Sequence, residues 1–183
     1  ALVELTTHAR SLFPILHLET VEVETMARPV NPLIQAYSEA LVRWGRQNEK
    51  IVVLDADLMV DCGLKPFRDA FPDRFFECGI AEQDMVSMAG AMARKGFIPI
   101  VHSFAAFLTR RALDQIYNNC TEGVKIIYVG ARAGPLDETG PGKSHESLYD
   151  SEIMFAMPEM ATWEPTSAEQ LRIASPLAVL KTI

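Results

Sequence analysis

The chain alternates short apolar runs with stretches of helical spacing, and this alternation predicts a layered α/β domain. Five mostly apolar runs indicate strands, at 51–54, 74–77, 97–101, 124–129 and 160–163. Helical spacing of apolar residues lies between them, at 32–44, 66–71, 80–95 and 107–119, and again after 166. An all-apolar strand suits a parallel sheet that is buried on both faces. We therefore expect an open parallel sheet of five or six strands with helices on both faces.

The length of 183 residues fits one domain. Residues 1–30 have loosely spaced apolar side chains among acidic ones and end at Arg28-Pro29. Asn31-Pro32 is then a good helix start, because Asn is a favourable cap and Pro is tolerated at the first helical position. We expect a leader or linker over 1–30 and a single domain over 31–183.

Composition and charge exclude some classes of partner. The net charge of −7 argues against binding to a nucleic acid or an anionic membrane. No apolar run approaches the roughly 18 residues of a membrane span. The three cysteines are odd in number and lack the spacing of metal ligands, which is typical of reduced thiols in a cytoplasmic protein. We predict no metal site within this chain.

The candidate chemistry lies between residues 75 and 119. Glu82 falls in the first turn of a predicted helix that follows a strand, and Phe104 and Phe107 follow the next strand. Open α/β sheets bind ligands where strand ends lead into helix starts. A carboxylate beside aromatic rings suits a flat heterocycle that needs a proton moved. By themselves, however, Glu82 could be an acid stabilised by the helix dipole, and the two phenylalanines could be core residues.

Several segments, in order and well spaced, resemble the pyrimidine-binding domain of transketolase. The clearest are Gly79-Ile80-Ala81-Glu82-Gln83 and Ser103-Phe104-Ala105-Ala106-Phe107-Leu108-Thr109-Arg110. Others are Leu54-Asp55-Ala56-Asp57-Leu58, the loop 134–145, and Pro158-Glu159-Met160 with Pro165 after it. The likeness covers roughly 31–171 and implies the fold that binds thiamine diphosphate.

The resemblance also implies roles for individual residues. In the family, the glutamate matching Glu82 hydrogen-bonds the ring nitrogen of the aminopyrimidine and activates it. Phe104 and Phe107 match residues of which one or both stack on the pyrimidine. Asp57 is expected to approach the cofactor and substrate, with capping of the next helix as the alternative.

Three further residues are expected to contact a sugar substrate. His145 matches a histidine that binds substrate oxygens in the family. Arg110 is either a contact for a phosphorylated sugar or a solvated helix residue. His102 closes a strand, where it could bind substrate or satisfy a backbone carbonyl.

The sequence departs from the family in ways that affect the predicted function. It contains no Gly-Asp-Gly run, the motif with which the family's other domain holds the diphosphate and a divalent metal. We therefore expect half of an active site, with Mg²⁺ and the diphosphate of thiamine diphosphate held by a partner chain or domain. The expected assembly is a homodimer or an α2β2 tetramer.

The expected reaction is transfer of a two-carbon ketol unit between sugars. Arg110-Arg111 adds one residue after the aromatic pair, and the run 139–145 differs from the family's usual loop, so the substrate stays open. Two alternatives also stay open: the β subunit of a 2-oxo acid dehydrogenase, and a non-catalytic module that scaffolds or regulates a partner.

Overall fold

The computed structural model describes residues 31–134 and 142–173. The helices are α1 (Pro32–Gln47), α2 (Lys65–Ala70), α3 (Glu82–Arg94), α4 (Ala105–Arg111), α5 (Leu113–Thr121), α6 (Asp150–Phe155) and α7 (Ala168–Ile173). The strands are β1 (Ile51–Asp55), β2 (Phe75–Glu77), β3 (Ile98–Phe104) and β4 (Ile127–Ala131), with 3₁₀ turns at Pro72–Arg74 and Lys143–His145. The predicted leader at 1–30, part of the loop 134–145 and the last residues of the predicted domain lie outside the described residues.

The strands form one parallel sheet in the order β2-β1-β3-β4. The chain moves from β1 to β2 on one side and then crosses to β3 on the other side of β1. The order therefore reverses between β1 and β3, and such a reversal opens a crevice at the carboxyl ends of the strands. The open parallel sheet expected from the sequence is confirmed, but the described residues contain four strands where five or six were expected.

The two faces of the sheet carry separate cores. Ile51, Val53 and Ile100 pack on one face with the apolar sides of α1, α2 and α7. Val52 and Leu54 lie on the other face, with Val101 and the apolar sides of α3 and α5. Alternate residues of β1 thus enter opposite layers, as the period of two in a strand requires. The prediction of helices on both faces is confirmed.

Two local predictions are wrong. Residues 160–163 pair with no strand in the described ranges, and Trp163 is 47% exposed. An apolar run forms a strand only where it can hydrogen-bond to the edge of a sheet. Residues 160–163 follow α6 and pair with no such edge. The helix predicted over 107–119 is two helices, because the backbone at Ala112 leaves the helical region with φ −110° and ψ 14°.

Residues 31–134 and 142–173 lack two kinds of structural feature. They contain no helix with both the length and the apolar character needed to cross a membrane. They also contain no cluster of three or more His, Cys, Asp or Glu side chains able to hold a metal ion.

Candidate active site

The strand register brings the predicted polar residues to one edge of the sheet. Asp55, the last residue of β1, pairs with Glu77 on β2 and with His102 on β3. Asp57 follows two residues later and has a positive φ of 60°. Its backbone N–H donates to Glu77 Oε1 at 2.9 Å, while its side chain is exposed. Asp57, Glu77 and His102 therefore lie at one edge of the sheet.

Glu82 lies at the start of α3, directly after this edge. The chain turns at Gly79, whose φ of 68° suits a residue without a Cβ, and α3 begins three residues later. The Glu82 side chain is 4% exposed, and its Oε1 accepts a hydrogen bond from Arg111 Nη1 at 2.9 Å. The other acid of the first turn, Asp84, is exposed. Glu82 thus differs from an ordinary first-turn acid in being buried and ion-paired.

The two phenylalanines form a tilted pair with ring centroids 5.5 Å apart. Both are buried, and cationic side chains lie against them. The guanidinium of Arg111 is 3.7 Å from the centroid of Phe107, and that of Arg132 is 5.2 Å from the centroid of Phe104. The ring of His145 contacts both, edge to face, at 5.8 Å from Phe104 and 4.9 Å from Phe107. The aromatic platform exists, but other side chains cover it.

Arg110 anchors the loop that carries His145. Its Nη2 donates to the backbone carbonyls of Ser144 at 2.6 Å and Glu146 at 3.0 Å, and its Nε donates to Ala106 O. His145 Nδ1 in turn bonds the hydroxyl of Ser144 at 2.8 Å. Arg110 is therefore exposed but hydrogen-bonded to its own helix and to the loop of His145, and its contact with a phosphorylated sugar stays a prediction. It holds His145 against the phenylalanines.

His102 is buried within the sheet. It is fully buried, and its Nε2 bonds the hydroxyl of Tyr37 at 2.5 Å, while Nδ1 lies 3.3 Å from the carbonyl of Leu54. Burial lowers the pKa of His102 to about 4, so the ring is neutral at pH 7. Its contact with a backbone carbonyl matches the second role considered for it from the sequence, and a substrate contact by His102 stays a prediction.

Sequence reasoning missed two cations of the site and the importance of one carboxyl. Arg111 joins Glu82 to the aromatic pair, and Arg132 covers the other ring. Asp55 is fully buried at the end of β1. Asp55 could have been recognised because it is a carboxylate at the end of an apolar run. No local sequence feature around Arg111 or Arg132 predicts their contacts, because these contacts join distant parts of the chain.

The contacts of Arg111 test whether a planar nitrogen-containing group fits here. Its guanidinium is flat, lies over the Phe107 ring and donates N–H to Glu82. An aminopyrimidine held by the same two residues would use the same two interactions, stacking and a hydrogen bond to the carboxyl group. The residues present therefore fit the pyrimidine half of thiamine diphosphate, provided that Arg111 gives way.

Comparison with known proteins agrees with this geometry. The family model described as "Transketolase, pyrimidine binding domain" matches residues 32–182. The 6-deoxy-6-sulfo-D-fructose transketolase subunit SqwH of Clostridium sp. (strain MSTE9) is 37% identical over 145 residues, which are 79% of this chain and 45% of that protein. The 1-deoxy-D-xylulose-5-phosphate synthase of Syntrophus aciditrophicus (strain SB) is 34% identical over 146 residues, 79% of this chain and 22% of that enzyme.

Solved structures give the same result. A split-gene transketolase described as an inactive beta4 tetramer superimposes with a TM-score of 0.67 at 37% identity, covering 80% of this chain and 46% of that one. Transketolase from Campylobacter jejuni superimposes with a TM-score of 0.68 at 20% identity, over 75% of this chain and 22% of that one, and shows the shared fold. The chain spans less than half the length of each of these relatives. It belongs to the transketolase pyrimidine-binding domain family.

Proposed function

We propose that this chain supplies the pyrimidine-binding half of a thiamine diphosphate-dependent active site that transfers two-carbon ketol units. The observation that carries the proposal is the buried carboxyl group of Glu82 beside the Phe107 ring, with a planar group already held by both. A buried acid, an aromatic ring and the crevice at a switch point of the sheet are together what a flat, proton-exchanging heterocycle requires.

The residues of this chain bind and orient the pyrimidine. Glu82 holds a hydrogen bond to a ring nitrogen, and burial at 4% side-chain exposure protects that bond from water. Phe107, with Phe104 behind it, supplies a stacking surface worth about 0.5–1.5 kcal/mol beyond burial. Thiamine diphosphate, when bound, supplies carbanion-stabilising chemistry. Asp57 stands at the edge of the same crevice, on the side where the cofactor and substrate would approach.

The diphosphate and a divalent metal, Mg²⁺ by family resemblance, would be held by a partner. The chain lacks Gly-Asp-Gly, and its described residues offer no cluster of metal ligands. Two large apolar side chains beside the site support a partner surface there. Val60 and Ile80 are 77% and 71% exposed, and they lie in the loops that carry Asp57 and Glu82. Bare apolar residues around a site are typical of an interface.

The substrate and assembly form the finer part of the proposal. A phosphorylated ketose is the expected donor, and the sulfo-sugar named for one relative is a second candidate to assay. An α2β2 tetramer with a diphosphate-binding subunit is favoured over a homodimer, because the relatives at 37% identity are a transketolase subunit and a split-gene transketolase. The same relatives favour ketol transfer over a 2-oxo acid dehydrogenase.

Calorimetric titration tests the split site. Thiamine diphosphate with Mg²⁺ is titrated into this chain, into a candidate partner that carries the Gly-Asp-Gly run, and into their complex. We expect sub-micromolar binding by the complex alone. Tight, Mg²⁺-dependent binding by the isolated chain would contradict the proposal of half a site.

A matched pair of variants tests Glu82. Glu82→Gln keeps size and hydrogen bonding but removes the acid, and it should lower kcat of the complex by about 100-fold or more, as positioned acid–base groups contribute. Asp84→Asn removes the other first-turn charge of α3, which is exposed, and should leave kcat within about twofold. If both variants lose activity equally, Glu82 acts through the helix dipole and not on the cofactor.

A further inference from the structure

Two carboxyl groups meet where β1 and β2 end. Asp55 and Glu77 are the last residues of these strands, and the parallel register pairs them directly. Paired residues of neighbouring strands carry their side chains on the same face of the sheet, so the two carboxyl groups are neighbours. Neighbouring carboxylates that share a site repel, which favours the protonated form of one of them.

The surroundings of Asp55 show where that proton belongs. Asp55 is fully buried, and its Oδ2 accepts a hydrogen bond from the backbone N–H of Leu58 at 2.9 Å. Its Oδ1 is buried without a partner among the described residues. A buried carboxylate oxygen with no donor is costly. A proton on Oδ1 turns this atom into a donor, and we assign the carboxylate of Glu77, which the strand register pairs with Asp55, as its acceptor.

Glu77 in turn binds the two loops that carry the site. Its Oε1 accepts N–H bonds from Asp57 and Gly79, both at 2.9 Å. Asp57 has a positive φ of 60°, a conformation that a residue other than glycine holds only with support from its surroundings, whereas the φ of 68° at Gly79 suits glycine. Asp57 lies at the crevice, and the turn at Gly79 leads into Glu82. One carboxylate oxygen therefore fixes the loops after both strands.

We propose that Asp55 and Glu77 share one proton and act together as positioning residues, holding the loops of Asp57 and Glu82 in register at the crevice. The consequence for catalysis rests on the proposed function, whereas the shared proton and the held loops do not.

The charges around Asp55 agree with this arrangement. The titratable groups beside it are Glu77 and Cys78 on the β2 side, Cys62 in the loop after β1, and His102 paired with it on β3. Burial raises the pKa of Cys78 to about 11, raises that of Cys62 further, and lowers that of His102 to about 4, so these three are uncharged at pH 7. Burial first, and then the charge of Glu77, raises the pKa of Asp55 to about 7. The shared proton should therefore titrate near neutral pH.

Nuclear magnetic resonance titration of the chain tests the proposal directly. The carboxyl carbon of Asp55 is followed from pH 4 to pH 9, together with the amide protons of Asp57 and Gly79. We expect all three signals to move with one midpoint, at about pH 7. An Asp55 midpoint near 4, or amides of Asp57 and Gly79 that stay constant while Asp55 titrates, would overturn the proposal. The unaltered protein gives this result, so the outcome does not depend on whether a variant folds.

Three variants separate the proton from the hydrogen bonds. Asp55→Asn keeps a donor to Glu77 but cannot titrate, so both amide signals should become constant near pH 7. Glu77→Gln keeps the acceptor for both N–H groups and should also hold the loops, while the Asp55 midpoint falls because the charge of Glu77 is removed. Glu77→Ala removes the acceptor, and exchange of both amides with solvent should speed up by about 5–10-fold, as expected for loss of one hydrogen bond. Asp73→Asn, an exposed acid before β2, is the control and should change none of these signals.

Activity of the complex with the partner then tests the catalytic consequence. We expect Glu77→Ala to lower kcat by about tenfold and Glu77→Gln to restore most of it, because positioning depends on the acceptor and not on the charge. Failure of the proposed function would leave all variants and the unaltered protein inactive while the titration results stand. Normal kcat for Glu77→Ala in an active complex would overturn the positioning role alone.

Discussion

The contact between Glu82 and Arg111 predicts a measurable coupling energy at the centre of the candidate site. The Glu82 side chain is 4% exposed and that of Arg111 is 44% exposed, with Nη1 and Oε1 2.9 Å apart. Ion pairs between two exposed side chains contribute about 0.2–1 kcal/mol, whereas breaking a fully buried pair costs about 3–5 kcal/mol. A pair buried on one side lies between these limits, so we expect a coupling of about 1–2 kcal/mol.

A double-mutant cycle isolates this coupling. Urea unfolding is measured at pH 7.5 for the unaltered chain, Glu82→Gln, Arg111→Met and the double variant. Arg111→Met also loses the cation–π contact with Phe107, worth about 0.5–1 kcal/mol, but this loss occurs in both legs of the cycle and cancels. Because one partner is buried, the coupling should persist at 0.5 M NaCl.

The pair Arg94–Glu122 is the matched control. Both of its side chains are about half exposed. Its coupling should be about 0.5 kcal/mol or less and should disappear in salt. If the Glu82–Arg111 coupling is as small and as sensitive to salt as the control, the carboxyl group is not held by the arginine, and the reasoning about a covered platform fails.

Two further predictions concern stability. A Cβ on Gly90 would lie 2.2 Å from Asn119 Oδ1. Gly90→Ala should therefore lower the free energy of unfolding, measured by urea titration, by about 1–2 kcal/mol, although Ala has the better helix propensity. Ser87→Ala on the exposed side of the same helix is the control and should change this free energy by less than about 0.5 kcal/mol. The pKa of Asp55 is raised to about 7 and that of His102 is lowered to about 4, so between about pH 4 and 6.5 Asp55 favours the folded state as pH falls while His102 disfavours it. In the Asp55→Asn variant only the His102 effect remains, so its free energy of unfolding should fall on acidification across this window by up to ~1.4 kcal/mol per pH unit. If the free energy of unfolding of the variant changes less with pH than that of the unaltered protein, the His102 ring is not held neutral.

Much of the fold could be predicted from the sequence because its signals are local. The apolar runs at 51–54 and 97–101 became β1 (Ile51–Asp55) and β3 (Ile98–Phe104), and the Asn31 cap starts α1 as expected, with Asn31 Oδ1 accepting from Leu33 N at 2.8 Å. The failed strand at 160–163 has the same local signal. It lacks a neighbouring strand to pair with, and a neighbour is a property of the whole fold.

The same difference between local signals and properties of the whole fold applies to the candidate site. Glu82 was predicted from a motif that is continuous in sequence. Its partner Arg111 is 29 residues away, and the contact depends on how α3 and α4 approach each other. The sequence left Arg110 open between a sugar contact and a solvated residue, and in the structure its Nη2 donates to backbone carbonyls 34 and 36 residues further on. The motif predicts Glu82 as the candidate acid, and only the three-dimensional structure shows that Arg111 is bonded to it.

The covered platform gives a second reason to expect that the chain needs a partner for cofactor binding. A pyrimidine that takes both Glu82 and the face of Phe107 must displace Arg111 from the carboxyl group and from the ring. The expected cost is about 1–2 kcal/mol for the pair and about 0.5–1 kcal/mol for the cation–π contact. Since each 1.4 kcal/mol is tenfold in affinity, this displacement weakens binding by roughly 10- to 150-fold. The aminopyrimidine offers too few contacts to offset such a cost alone, whereas a diphosphate and metal held by a partner chain add binding energy that does not depend on Arg111. The isolated chain would then keep its acid ion-paired, and a functional cofactor site would form only in the assembled enzyme.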